Sequence, residues 1–500
     1  MTMDVVFGSL FGLLSEPKLV ALMLAAIPLG MIFGAIPGLG GKLGLVLAIP
    51  FVFGMDAVPG AVFLVAMHAV VHTGGAIPSI LLGIPGSGPD AATVCDGHPM
   101  TLRGEAGRAL GAALAASAVG GVVGAAFLAV LVPIVQPVAL AFGPAEFFFL
   151  AVLGITFIGA VSGQNLAKGL IVGSLGLMLS FVGTEPLAGI ARFTMGATFL
   201  QDGISVITAV LAIFTIPETI SLATSGSAPR TTQAPGLTGA ASLMGGVADV
   251  WTHRWLTLRS SLIGSGIGLV PGLGGDVGSW TAYGQAVITS RSPERFGKGT
   301  VEGVIAPEAA NNSKEGGALL PTLFFGIPGS SGMVILLGAF VVLGIQPGPA
   351  MLRDQPELVW TLIWTLVVSN VLAALVFLAV GPWLVLAIRL RAGLLVPFVI
   401  LLTILGVQAA GDSWHALIVL FGLGLLGYGF KRGDWPRAPF AIGIVLGPVM
   451  EISLHQSLAI WGPSFVLRPG ALVLVGAIAA TIALAIRRGR RSPGRLEDAA

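Results

Sequence analysis

Charge is scarce in this sequence: Asp, Glu, Lys and Arg make up 10% of 500 residues, against roughly 25% in ordinary globular chains. A chain this long with so few charges cannot clothe several soluble domains in polar surface. Its single cysteine, Cys95, excludes an internal disulfide and any cysteine-rich metal cluster. A net charge of +2 leaves no basic footprint for nucleic acid. Asp4 and Glu16 stand where a basic leader would be, so a cleaved signal peptide is not expected. Short alternating strands are missing as well, which excludes a transmembrane β-barrel.

What remains is apolar. Hydrophobic residues are 55% of the chain and the mean hydropathy is +0.96. Runs at 19–37, 109–132, 358–379 and 472–486 approach or exceed the ~20 residues that cross a bilayer. The fold class is therefore an all-α polytopic integral membrane protein, with roughly 10–12 crossings expected from run lengths of this kind. Arg487, Arg488, Arg490, Arg491 and Arg495 follow the last run, and the positive-inside bias places that end in the cytoplasm. The 73 glycines are about twice the ordinary share. Small residues let membrane helices approach closely, which accounts for Gly111, Gly120, Gly121 and Gly124 within one apolar run. It does not account for glycine tied to proline in repeated strings.

Those strings show an internal duplication. GAIPGLGG at 34–41 recurs as GLVPGLGG at 268–275, and GGAIPSILLGIPGSG from Gly74 resembles GGALLPTLFFGIPGSSG from Gly316. GLIVGSLGLMLSFVG at 169–183 resembles ALIVLFGLGLLGYGF at 416–430, and ARFTMG at 191–196 meets APFAIG at 438–443. Four matches in one order divide the chain into repeat 17–223, a polar linker 224–258, repeat 259–467, and a final helix with a basic tail at 468–500. An odd number of crossings per repeat inverts the second in the membrane; an even number leaves it parallel. Duplicated halves with interrupted helices are a pattern of secondary transporters.

In hydrocarbon, irregular backbone survives only when buried in protein or lining a wet cavity. Paired Pro–Gly breaks at equivalent places therefore point to a binding site. Freed N–H groups at half-helix N-termini favour anions, and unwound carbonyls can hold a cation. Lys42 follows the first PGLGG and Asp276 follows the second. A charge at bilayer depth costs ~2.5–3.5 kcal/mol unless paired or wet. On one reading Lys42 serves an anion while Asp276 and Ser279 hold a coupling cation; on the other, both charges are solvated at the interface. In GVIAPEAANNSKEGG (303–317), Glu308, Asn311 and Asn312 fall on adjacent faces of a helix. The alternative there is an exposed loop.

PGLGG, GGAIPSILLGIPG, DGHPM, VEGVIAPEAANNS, FGIPGS and GIQPGP together resemble the TctA family, the large membrane subunit of tripartite tricarboxylate transporters. The resemblance runs from about Leu19 to Leu467. It implies a bacterial inner-membrane permease that works with a small membrane subunit (TctB-like) and a periplasmic solute-binding protein (TctC-like). Its substrate would be a small organic anion, a di- or tricarboxylate such as citrate. Uptake would be driven by a Na⁺ or H⁺ gradient, with no cofactor. Carried over by motif, the first repeat's site residues are Gly38, Gly40, Gly41, Gly74, Gly75, Pro85, Gly86 and Ser87, beside the Lys42 read above. The second repeat supplies Pro271, Gly272, Gly274, Gly275 and Asp276, beside Ser279. Glu308, Asn311, Asn312, Pro328, Gly329 and Ser330 complete the set.

Several motifs suggest other chemistry. GLGGKLG lacks the phosphate-loop spacing, with Ile36 where the first glycine belongs and Leu43 after Lys42, so no nucleotide hydrolysis is expected. His68 and His72 are four apart, but Ala69 stands where a zinc protease needs Glu, so packed or pore-lining histidines are expected. GSSG at 329–332, with His415 or His455 on a later segment, would suit an intramembrane serine protease. The first repeat reads GSGP at that place, which favours a duplicated loop over a nucleophile. Retained solute uptake in Ser331→Ala would reject the protease. A passive channel is the third reading; it would not accumulate solute against a gradient.

Overall fold

The computed structural model describes residues 3–36, 40–161, 166–185, 189–224, 240–271, 274–387, 392–409 and 414–490. The first half runs through α1 (Met3–Ser15), α2 (Pro17–Ala35), α3 (Gly40–Val52), α4 (Ala57–Leu82) and α5 (Ala91–Leu102). It continues with α6 (Ala106–Leu140), α7 (Pro144–Val161), α8 (Leu166–Ser180), and a two-residue hairpin pairing Gly183–Thr184 with Ala191–Arg192. Then come α9 (Val206–Val210), a π turn, and α10 (Ile216–Thr224).

The second half repeats the order: α11 (Ala240–Thr252), α12 (Arg254–Gly268), α13 (Gly274–Thr289), α14 (Glu302–Phe325) and α15 (Ser331–Val342). After α16 (Pro349–Asp354) follow α17 (Pro356–Ala387), α18 (Ala392–Ala409), α19 (Ala416–Arg432), α20 (Ala438–Trp461) and the final α21 (Pro469–Arg490). The all-α polytopic reading holds. Among the described residues five helices are long and apolar enough to cross a membrane, and the others are shorter apolar pieces.

The breaks follow from backbone chemistry. Gly83 and Gly326, the first glycines of the two GIPG strings, adopt φ of 69° and 65° and end α4 and α14 in the left-handed conformation. Only glycine takes that geometry without a Cβ penalty. The next residue precedes proline and is pushed to extended backbone, so the chain cannot resume the same helix.

The helices flanking each PGLGG, α2 with α3 and α12 with α13, pack together as the arms of a hairpin. The Lys18–Asp56 ion pair, 3.4 Å, joins the base of α2 to the turn after α3, where Asp56 stands at the N-cap of α4, and Arg259 donates to Thr289 at 2.8 Å across the base of α12–α13. Arms of 13 to 19 residues carry the tips about 20–28 Å inward. The hairpins enter from opposite faces. Gly60, at the start of α4, packs against Leu343 at the end of α15. At the other face the start of α14 meets His253, and the end of α5 is tied by Arg103 to the Gly299 carbonyl. Helix α4 thus continues through its break into α5 one way, and α14 into α15 the other. The two halves are inverted.

Glycines mark the tightest crossings. Gly30 and Gly34 lie on the Met67 and Val71 carbonyls where α2 runs along α4, and Gly264 and Gly268 lie on those of Ala310 and Lys314 where α12 runs along α14. Within the expected linker, 225–239 falls outside the described residues. Residues 240–252 form α11, held to α6 by Arg108, which grips Asp249 at 2.6 and 3.0 Å.

At the turn before α12, the Glu302 carboxylate 3.5 Å from His253 raises that imidazole above its ordinary 6.5. The folded state therefore favours protonated His253. This contribution to stability is complete below the unfolded value and fades as pH rises through the folded one. An NMR titration of His253 is expected to give a midpoint above 6.5 that falls in Glu302→Gln. An unchanged midpoint would remove Glu302 as the cause.

Candidate functional site

Four short helices begin around the breaks: α3, α5, α13 and α15, of 13, 12, 16 and 12 residues. None reaches the ~20 residues of a full crossing, so their N-termini, the positive ends of their dipoles, open inside the protein. Ser330 caps α15, accepting from the Met333 N–H at 3.3 Å.

The inversion interlocks the halves: α5 packs on α13, and α15 on α3. As a result, each GIPG loop meets the other half's chain. A Cβ on Gly88 would stand 2.5 Å from Asp276 Oδ1, and one on Gly275 2.7 Å from Pro89 and into the Lys314 side chain. A Cβ on Gly332 would lie 3.0 Å from His68 Nε2, and one on Gly154 3.1 Å from Ile327 of the second loop, whereas Gly86 packs on the Gly34 carbonyl of its own half. Lys42 feels Asp276 and Lys314 electrostatically and lies deep inside the protein. Lys42, Pro85, Gly88 and Asp276 nevertheless keep solvent-accessible surface.

Behind this junction α14 carries a buried polar ridge. Glu315 Oε2 lies 3.0 Å from His68 Nε2, and its Oε1 lies 3.1 Å from His72 Nε2 and pairs with Lys314. Lys314 Nζ is also 3.1 Å from His72 Nε2. His72 and Glu315 stand equally far before Gly83 and Gly326, so equivalent positions of the two halves bond to each other. That contact marks the molecular pseudo-twofold.

A second cluster lies toward α5 and α6. Glu308 accepts from Thr93 at 2.5 Å and from Ser117 at 3.0 Å; Asp90 accepts from Ser87 at 2.6 Å and from Asn311 at 2.9 Å. Both carboxylates are fully buried, they interact with each other, and these four hydrogen-bond donors are neutral, while the Lys314 charge acts on Asp90 from further off. The Asn311 Oδ1 is buried without a donor.

The expected site residues divide accordingly. Gly38 and Gly272 lie outside the described residues, while Gly40 and Gly274 open α3 and α13. Gly41 is buried against Val71, Gly74 against Met31 and Gly75 against Asp90, so these glycines serve packing around the breaks. Pro271 ends the α12 side of its tip, and Ser279 is buried beneath the Pro307 carbonyl at 3.4 Å. Gly329 donates its N–H to Thr322 at 3.2 Å beside Pro328, which is buried. The exposed-loop alternative for 303–317 is overturned: the segment is helix, buried along nearly all its length. Its side chains do not share one face. Glu308 and Asn311 serve the acidic cluster, whereas Asn312 bonds Thr73 at 2.9 Å and Asn370 at 2.7 Å on α17. Of the protease candidates, His415 stacks on Phe199 and His455 bonds the Glu451 carbonyl.

Sequence reading passed over Asp90, Thr93, Ser117, Lys314, Glu315 and Asn370. Lys314 and Glu315 were visible as adjacent charges entering an apolar run. His68 and His72 are packed, as expected, but on a carboxylate from the other half.

Oppositely directed halves, interrupted helices and a charged interior describe an all-α polytopic membrane protein. The tripartite tricarboxylate transporter TctA family matches residues 20–442, and the chain belongs to it. Membership makes it a component of a tripartite tricarboxylate transporter. An uncharacterized 52.8 kDa protein of Agrobacterium vitis, from its TAR-I ttuC' 3' region, is 30% identical over 86% of this chain and 85% of its own length. A second uncharacterized protein of that organism, from the TAR-II ttuC' 3' region, is 32% identical over 46% of this chain and 96% of its own length. No solved structure matches.

Proposed function

We propose that this chain is the permease subunit of a binding-protein-dependent secondary transporter that takes up a di- or tricarboxylate with a cation. The observation that carries the reading is the meeting of the Gly88–Pro89 loop of one half with Gly275–Asp276 of the other. Lys42 and Lys314 supply positive charge beside inward-facing helix N-termini, a suitable setting for carboxylate groups. The coupling cation fits the cluster of Asp90, Glu308 and Asn311: two buried carboxylates need a counter-charge, and Asn311 Oδ1 is a spare oxygen ligand. Asp276 keeps exposed surface where the two halves meet and is assigned to cargo selection instead. The partners are a small membrane subunit and a periplasmic solute-binding protein, the membrane is the bacterial inner one, and the arginine-rich end is cytoplasmic.

The test is uptake of labelled citrate and other carboxylates by cells co-expressing the chain with both partners, with and without Na⁺ and with a protonophore. Accumulation above the external concentration, abolished by removing one gradient, is expected. Equilibration without accumulation would make the protein a channel and end the proposal. Glu308→Gln is expected to raise the cation concentration for half-maximal uptake roughly 10-fold, the worth of one buried charged contact. An unchanged cation dependence would move the coupling site elsewhere.

A further inference from the structure

The base of the α12–α13 hairpin holds a second charged feature that shares no residue with the central site. His253, Arg259, Thr289, Arg291, Arg295 and Glu302 line a cavity of about 330 Å³. Its carboxylate is already engaged, since Glu302 is held by His253 and by the Thr300 hydroxyl. Arg259 gives one N–H to Thr289, while its Nε is buried with no acceptor. Arg291 and Arg295 are exposed and have no ion-pair partner among the described residues, and Glu294 in the same turn is exposed too. Three guanidiniums around one cavity match the oxygens of a phosphate group, which their planar forks bind in pairs.

The position of the cavity indicates where that phosphate comes from. Arg468 and Gly470 meet Glu146, so the start of α21 lies beside the start of α7 and the end of α6. The start of α6, next to α11 and His253, is therefore on the face where α21 ends in Arg487, Arg488 and Arg490. Trp251 at the end of α11 and Trp255 at the start of α12, 74% and 73% exposed, stand on either side of the cavity-lining His253, and Arg254 lies 5.8 Å over the Trp251 ring. Exposed tryptophans beside basic residues mark headgroup depth.

We infer that this cavity binds the phosphate of an anionic glycerophospholipid, clamping the base of the second hairpin to the membrane surface. The full chain in detergent would be titrated with phosphatidylglycerol, phosphatidylcholine and inorganic phosphate, and adducts counted by native mass spectrometry. Phosphatidylglycerol is expected to bind in preference, and Arg291→Gln/Arg295→Gln to weaken it roughly 30-fold, the usual effect of two basic side chains at an anionic surface. Both side chains are exposed, so the variant keeps its fold; Arg259→Gln gives a second, independent reading. Equal phosphatidylglycerol binding by wild type and both variants would overturn the site. Inorganic phosphate displacing the lipid at equal concentration would overturn the lipid as its source.

Discussion

Glu315→Ala is expected to destabilise the protein by about 3–5 kcal/mol, the cost of leaving a buried charge without its partner. Lys314 is 3% exposed and Glu315 1%, and no second carboxylate contacts Lys314 in the network. Lys314→Met should be milder, because His68 and His72 remain hydrogen-bonded to Glu315. Replacing both charges, as Lys314→Met/Glu315→Leu, should recover much of the loss, since a buried pair contributes little over apolar packing. Thermal unfolding in detergent measures the order. If Glu315→Ala melts no lower than Lys314→Met, the ion cluster does not hold the halves together.

Gly88→Val is expected to slow uptake roughly 10-fold or more while leaving expression and membrane insertion near normal. The added carbons would enter the space 2.5 Å from Asp276 Oδ1, where the two halves meet. Overpacking of this kind costs ~1–3 kcal/mol, which at a moving junction translates into roughly 10- to 100-fold in rate. Gly266→Ala is the control: it lies on the same hairpin arm as the second tip but has nothing within 4 Å of an added Cβ. Uptake near wild type in Gly88→Val would show that the junction plays no part in transport.

Much of this was legible in the residues themselves. Helix ends at Gly83 and Gly326 follow from glycine before Ile–Pro, and membrane residence follows from composition. Helices stop on either side of the repeated PGLGG strings, α2 at Ala35 before α3 at Gly40 and α12 at Gly268 before α13 at Gly274. Residues such as Asp90 and Lys314 were not legible as partners, because nothing local distinguishes a charge that meets another half from one that meets water. Asn312 shows the same limit: helical spacing places it near Glu308, yet its amide turns to α17.

By itself the sequence determined an apolar, duplicated, helical chain and where its helices stop. Those outcomes depend on hydropathy, on φ above zero at glycine and on proline's missing N–H, all properties of a few neighbouring residues. Tertiary structure alone decided that the halves are inverted and interlocked, so that His72 meets Glu315 and Gly88 meets Asp276. Such pairings depend on which helices lie side by side, and the packing of the whole chain sets that.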